Sequence, residues 1–452
     1  MRATLGLLLA ALPVLVFGQD TPDNPPPGRS RRIIEVQSVS VSSGYYTSGT
    51  PAGFELPTQS LFLGPTALVS GSVTFGGSTS SEKGGFTWNY SPSYFSTVYS
   101  QDQRSNHGSF DHRAGVYWRR RLGNRWTAVA SANGILASLE QLYFAPGLLT
   151  GVAALPTSFD DLAAATLAGK FTDAQLAALL TGSPLQASPE QAFPYGTRLM
   201  SAGANFGLSW APSGRTTVAL TLSGTRTQSV KGAGVTGLDI AAATPSLPQM
   251  TNATAALSWS YSMSPRTQFS VQATSSRTFS GIQQGYASSG NVSLGRTMSR
   301  RWFVQGRAGA GVLSYSRQQF AQPEAKQYLF GGTLGFKTSS HTFVGSYDRT
   351  LGDPYGLGSG TTGTASGAWN WVRPGSGWAA SAAASYQQLN NPTFVNTGSW
   401  RLQGSVSRSL TRSIQLSWQY IYFQIPLGLT VGGQDQTEHG VLVSLSWKPP
   451  SF

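Results

Sequence analysis

Leu257-Ser-Trp-Ser-Tyr-Ser-Met-Ser-Pro-Arg-Thr-Gln-Phe-Ser-Val271 decides how this chain folds. Its first arm alternates apolar and small polar residues, Pro265-Arg266 interrupts, and the second arm resumes the alternation. A period of two places one oily and one wet face on an extended strand. The same hairpin recurs in Val116-Tyr-Trp-Arg-Arg-Arg-Leu-Gly-Asn-Arg-Trp-Thr-Ala-Val129 and Leu208-Ser-Trp-Ala-Pro-Ser-Gly-Arg-Thr-Thr-Val-Ala-Leu220. It returns in Val292-Ser-Leu-Gly-Arg-Thr-Met-Ser-Arg-Arg-Trp-Phe-Val304. Lys337–His341, Arg373–Gly377 and Ser409–Ser413 read as further tight turns, and the connections between them are longer, polar and irregular. Short turns at one end and long loops at the other describe a transmembrane β-barrel.

Composition narrows the alternatives. The opening Met-Arg-Ala-Thr followed by Leu5–Phe17 and Gly18 reads as a secretory signal over residues 1–18. Its removal takes away only Arg2, so the formal charge falls from +13 to +12. No other stretch approaches the ~18 consecutive apolar residues of a membrane helix. The chain has no Cys, which excludes a disulfide scaffold and thiolate metal sites. The positive charge is scattered Arg in turns and strand ends, not one basic run, so no nucleic-acid partner is expected.

Residues 19–32 form a Pro-rich linker, and Ile33–Val41 alternates as a first strand of the region 33–452. The faces are legible. Val218, Leu220 and Leu222 oppose Thr217, Thr221 and Ser223, and Ile414, Leu416, Trp418 and Tyr420 oppose Gln415, Ser417 and Gln419. A soluble sandwich has the same period, but three features favour a barrel. Candidate strands run for about 9–12 residues, enough for a tilted crossing of the hydrocarbon. Trp118, Trp126, Trp210, Trp259, Trp302, Trp371, Trp378 and Trp447 gather beside the short turns, as an interfacial girdle would. The other face is Ser, Thr, Gln and Gly, too wet for a packed core. The wall must close, because an open sheet edge in lipid is costly, and closing an up-and-down antiparallel wall takes an even strand number. The expected fold is all-β, a closed antiparallel barrel of about eighteen strands, or sixteen if the first hairpin stands apart.

These patterns resemble the outer-membrane β-barrel proteins of diderm bacteria, at the level of the porin-like superfamily. Val441-Leu-Val-Ser-Leu-Ser-Trp447 looks like the C-terminal strand read by the barrel-insertion machinery. Phe452 stands in the terminal aromatic position, although Lys448-Pro-Pro-Ser451 separates it from the strand. The resemblance implies an outer-membrane location, lipid and insertion-machinery partners, and passage of small polar solutes.

Functional expectations follow from the wet face. Its charges and amides are Asp111, Arg113, Arg307, Asp348, Arg401, Gln305, Gln403, Gln415 and Gln419, which are candidate pore-lining residues. With a basic chain they imply a weak anion preference. The long connection 137–197 carries two capping-box-like starts, at Ser158 and Thr172, and is expected to hold two short helices. It either folds inward to narrow the pore or caps the mouth from outside. Asp102, His107, Asp111 and His112 crowd one outer loop but match no spacing with a known mechanism, and Gly352–Gly360 lacks the Lys-Ser/Thr of a phosphate cradle. No enzyme activity, metal or cofactor is expected. The alternative is a non-conducting barrel acting as an adhesin or structural protein through its outer loops. Homo-oligomers would use smooth outer positions, with Gly306–Ala310 and Ala380–Ala384 as candidates.

Overall fold

The computed structural model describes residues 32–49, 66–81, 83–99, 107–138, 198–230, 250–280, 284–317, 325–352, 360–373, 375–390, 397–425 and 436–449. The first nine strands are β1 (Arg32–Gly49), β2 (Thr66–Ser81), β3 (Gly84–Tyr99), β4 (His107–Arg121), β5 (Trp126–Ser138), β6 (Arg198–Ser213), β7 (Thr216–Val230), β8 (Met250–Ser264) and β9 (Thr267–Ser280). They continue as β10 (Gln284–Ser299), β11 (Trp302–Arg317), β12 (Ala325–Lys337), β13 (His341–Gly352), β14 (Gly360–Arg373), β15 (Trp378–Asn390), β16 (Thr397–Ser409), β17 (Ile414–Ile425) and β18 (Gln436–Trp447). Each strand pairs antiparallel with its neighbours in sequence, in one 18-stranded sheet. β1 closes the ring: Val39 lies opposite Val73 of β2 and Trp447 of β18. The first hairpin is therefore part of the wall, and the sixteen-strand alternative falls.

The strands are longer than the alternation alone indicates, from 12 residues in β13 to 18 in β1. The alternation marks only the part of a strand that has lipid on one side. Beyond the hydrocarbon both faces meet water, so pairing continues where the pattern fades. β1 also begins at Arg32, one residue inside the stretch assigned to the linker. The signal segment, linker residues 19–31 and the connection 139–197 with its two expected helices lie outside the described residues.

A repeated local device makes the tight turns. The Ser213 hydroxyl accepts from the Arg215 N–H, Ser264 from Arg266, and Ser299 from Arg301, at 3.1–3.3 Å. Thr338, Ser376 and Thr411 accept in the same way from Ser340, Trp378 and Ser413. A hydroxyl bonded two residues ahead stands in for a backbone turn contact, which explains Ser or Thr at the exit of so many strands. Gly123, at φ +122°, supplies backbone freedom in the β4–β5 turn. All these turns lie at one end of the cylinder, with the end of β18 beside them.

The two faces differ as the alternation requires. The convex face carries the exposed apolar side chains, among them Leu220, Leu257, Val292, Leu294, Phe330, Leu334, Val406 and Val443. The concave face is polar, with hydroxyls directly opposite one another on paired strands: Ser42–Ser70, Ser270–Ser293, Ser346–Ser366, Ser381–Ser405 and Ser417–Ser444, at 2.5–2.7 Å. Among the described residues, no helix is long and apolar enough to cross a membrane.

Candidate functional site

A closed barrel that is apolar outside and hydroxylated inside spans an outer membrane, so its working surfaces are the lumen and the long-loop end. All nine pore-lining candidates take inward register positions, on five strands: Asp111 and Arg113 on β4, Gln305 and Arg307 on β11, Asp348 on β13, Arg401 and Gln403 on β16, Gln415 and Gln419 on β17. The residues beside them fix this assignment. Phe110, Val304, Tyr347, Leu402, Trp418 and Tyr420 are exposed on the convex face, and parity reverses at each step.

Two charge groupings result. Arg307 and Asp348 form an ion pair, with side chains 25% and 13% exposed. They belong to strands separated by β12, whose Gly331 lies opposite both. Asp111 and Arg113, two residues apart on β4, are buried on the concave face at 0% and 5% exposure. Arg401 stands beside Gln403, itself 9% exposed, with Ser385 of β15 opposite Arg401 and Ile421 of β17 opposite Gln403.

The lumen also holds apolar residues that the alternation did not single out. Phe303 is fully buried, and Phe303, Gly335, Val344 and Ala368 lie opposite one another across β11–β14. A Cβ on Gly335 would collide with the Phe303 ring, so the glycine makes the space that the ring fills. Leu313, Ile421 and Leu442 are inward and at most 6% exposed. In the sequence Phe303 sits between Trp302 and Val304, so no alternation distinguishes it; the opposed glycine becomes a signal only once register is known.

Within the acid and histidine cluster, the described side chains of Asp111 and His112 diverge. Asp111 points inward, whereas His112 points outward and bonds the Tyr90 hydroxyl through Nδ1 at 2.8 Å. Consecutive strand residues face opposite sides of the wall, so they cannot act on one substrate atom. His439 pairs with the Tyr420 hydroxyl in the same outward manner, at 2.7 Å. Asp102 lies outside the described residues, as does most of Gly352–Gly360. Among the described residues, no group of three or more His, Cys, Asp or Glu is arranged to hold a metal.

The eight tryptophans occupy convex positions near the short turns. Trp126 stacks on Trp210 at 5.8 Å, Trp302 packs on Phe336 at 4.2 Å, and Trp259 meets Phe269 edge-on at 6.0 Å. The Arg408 guanidinium lies 5.1 Å from the Trp378 ring centre. Trp118, Trp371 and Trp447 complete the set, and Trp447 closes β18 where the Lys448 N–H donates to the Ser413 carbonyl at 2.7 Å.

No protein-family profile and no curated protein matches this sequence. Several solved barrels are similar in outline. OccAB4 of Acinetobacter baumannii is 10% identical with a TM-score of 0.45, over 94% of this chain and 100% of that one. OccK5 (OpdH) of Pseudomonas aeruginosa is 9% identical with a TM-score of 0.42, over 92% and 98%. OccK2 (OpdF) of the same organism, solved with glucuronate, is 8% identical with a TM-score of 0.44, over 92% and 98%.

Proposed function

We propose that this barrel is a passive outer-membrane channel for small polar solutes, with a weak preference for anions. One observation carries the reading: a closed wall whose inner face bears paired hydroxyls, amides and the five charges Asp111, Arg113, Arg307, Asp348 and Arg401. Such a face suits water and hydrogen-bonding solutes, not a packed core. Three of those charges are Arg and two are Asp, so the lining leans positive, and charged linings set ion preference. The outward tryptophans act as the girdle at the short-turn interface, and the strand ending in Trp447 is the segment offered to the insertion machinery.

The test is single-channel recording from purified, refolded protein in a planar bilayer under a salt gradient. Stepwise conductance with a reversal potential on the anion side is expected. Steady conductance with a cation-side reversal would overturn the anion preference alone.

A second reading has its own support. Phe303, Leu313, Val344, Ile421 and Leu442 are buried on the inner face, as is Asp111, so part of the lumen is not wetted. A barrel occluded there would act through its outer loops, as an adhesin or structural protein. Electrical silence from protein that is folded and inserted selects this reading.

A further inference from the structure

The outer wall carries a groove of about 900 Å³ that the channel reading does not use. Its origin is a single register row across six strands: Leu220, Leu257, Ala273, Gly290, Ala310 and Tyr328, each opposite the next. Leu220 and Leu257 form one bank and Tyr328, 81% exposed, the other, while two alanines and a glycine form the floor. The row toward the long loops continues the floor with Ser275 and Ser288, whose hydroxyls bond each other at 3.2 Å, and rises over Val312 to Lys326. One outward position above Ser275 stands Arg277. Its guanidinium lies 4.3 Å from the Phe279 ring centre and 4.9 Å from that of Tyr286, and its Nε is buried without a hydrogen-bond partner.

A hydrocarbon-facing groove gains little from the hydrophobic effect, because lipid tails are as apolar as its walls. Selectivity must come from shape and from charge at the headgroup level. Both are present. The floor admits acyl chains closer to the backbone than the surrounding wall does. At its upper end two cations stand three strands apart and one outward position out of step, roughly 16 Å from each other, on the long-loop side where the headgroup of a lipid seated in the groove would lie. The long loops mark the outer leaflet as the side involved. We propose that this groove binds one acylated, phosphorylated glycolipid of the outer leaflet, its chains along Ala273, Gly290 and Ala310 and its phosphates on Arg277 and Lys326. The site lies outside the wall and is independent of whether the lumen conducts.

Native mass spectrometry of the whole barrel in nonionic detergent, titrated with purified lipid A, tests this. A saturable one-to-one adduct is expected. Each cation near an anionic headgroup contributes about fivefold in affinity, so Arg277→Ala with Lys326→Ala is expected to weaken the adduct at least ~10-fold. A Cβ on Gly290 meets open space, so Gly290→Leu fills the groove without disturbing the fold and removes the adduct. Gly404 is equally open on the outer face of β16, and Gly404→Leu is the matched control that keeps the adduct. Three results overturn the proposal: adducts unchanged in Gly290→Leu, phosphatidylglycerol bound as tightly as lipid A with the same residue dependence, or a dimer of the barrel that Gly290→Leu dissociates.

Discussion

Arg307 and Asp348 belong to strands that are not neighbours in the sheet, and they pair across the one residue between them that has no side chain. Gly331 stands opposite both. A Cβ there would come within 2.8 Å of the Arg307 Nε and 3.1 Å of an Asp348 carboxylate oxygen, and within 2.9 Å of the Tyr347 carbonyl. Gly331→Ala is therefore expected to part the pair and cost about 1 kcal/mol, the low end of the penalty for stranding a polar group, because both side chains are partly exposed. Urea unfolding in lipid vesicles measures it. An unchanged midpoint would mean that the pair tolerates the intruding methyl.

Neutralising each partner separates charge from stability. Asp348→Asn is expected to move the reversal potential further to the anion side, and Arg307→Gln to move it toward cations. Bilayer recordings under a salt gradient read both. Equal shifts of the same sign would place the pair away from the ion path.

Leu294 and Gln305 test the face assignment. Leu294 is 53% exposed on the outer wall, whereas Gln305 occupies an inward position one step from the residue opposite Leu294. An Arg at position 294 meets hydrocarbon and is expected to cost about 2–4 kcal/mol, depending on depth. Gln305→Arg is expected to leave the unfolding midpoint nearly unchanged while increasing anion preference. If the two costs were reversed, the wall would be inside out.

Trp126 and Trp210 stack at 5.8 Å on neighbouring strands at the short-turn interface. Replacing either with Ala is expected to lower unfolding free energy, and a double-mutant cycle to return a coupling of about 0.5–1.5 kcal/mol. Additive losses would mean that each ring anchors to lipid independently.

Much of the wall is legible from alternation because a lipid-immersed strand has only one way to satisfy both faces. The turns at Pro265-Arg266 and Arg300-Arg301 sit where the pattern breaks, and the inward parity of Arg307, Asp348 and Gln415 follows from apolar neighbours such as Val304, Tyr347 and Trp418. Strand ends are less legible, since the Thr47–Gly49 end of β1 and the Ser78–Ser81 end of β2 pair without alternating. Relations between strands are not legible at all. Gly331 between Arg307 and Asp348, Gly335 beneath Phe303, and the aligned Ala273, Gly290 and Ala310 are small residues at unremarkable places in the chain. Only register gives them neighbours. Asp111 and His112 are adjacent in sequence and so stand on opposite sides of a sheet, in keeping with a spacing that matches no catalytic pattern.

The seam between β1 and β18 sets an order in time. Val39 meets Trp447, a partner about 400 residues later in the chain. Until that partner is in place, β1 has β2 on one edge and an unsatisfied ladder on the other, a template for any stray strand. Closure therefore waits for the last strand of the barrel, however early the first hairpin forms. Whatever escorts this chain must keep one edge unzipped and unclaimed until residues 436–447 arrive to occupy it.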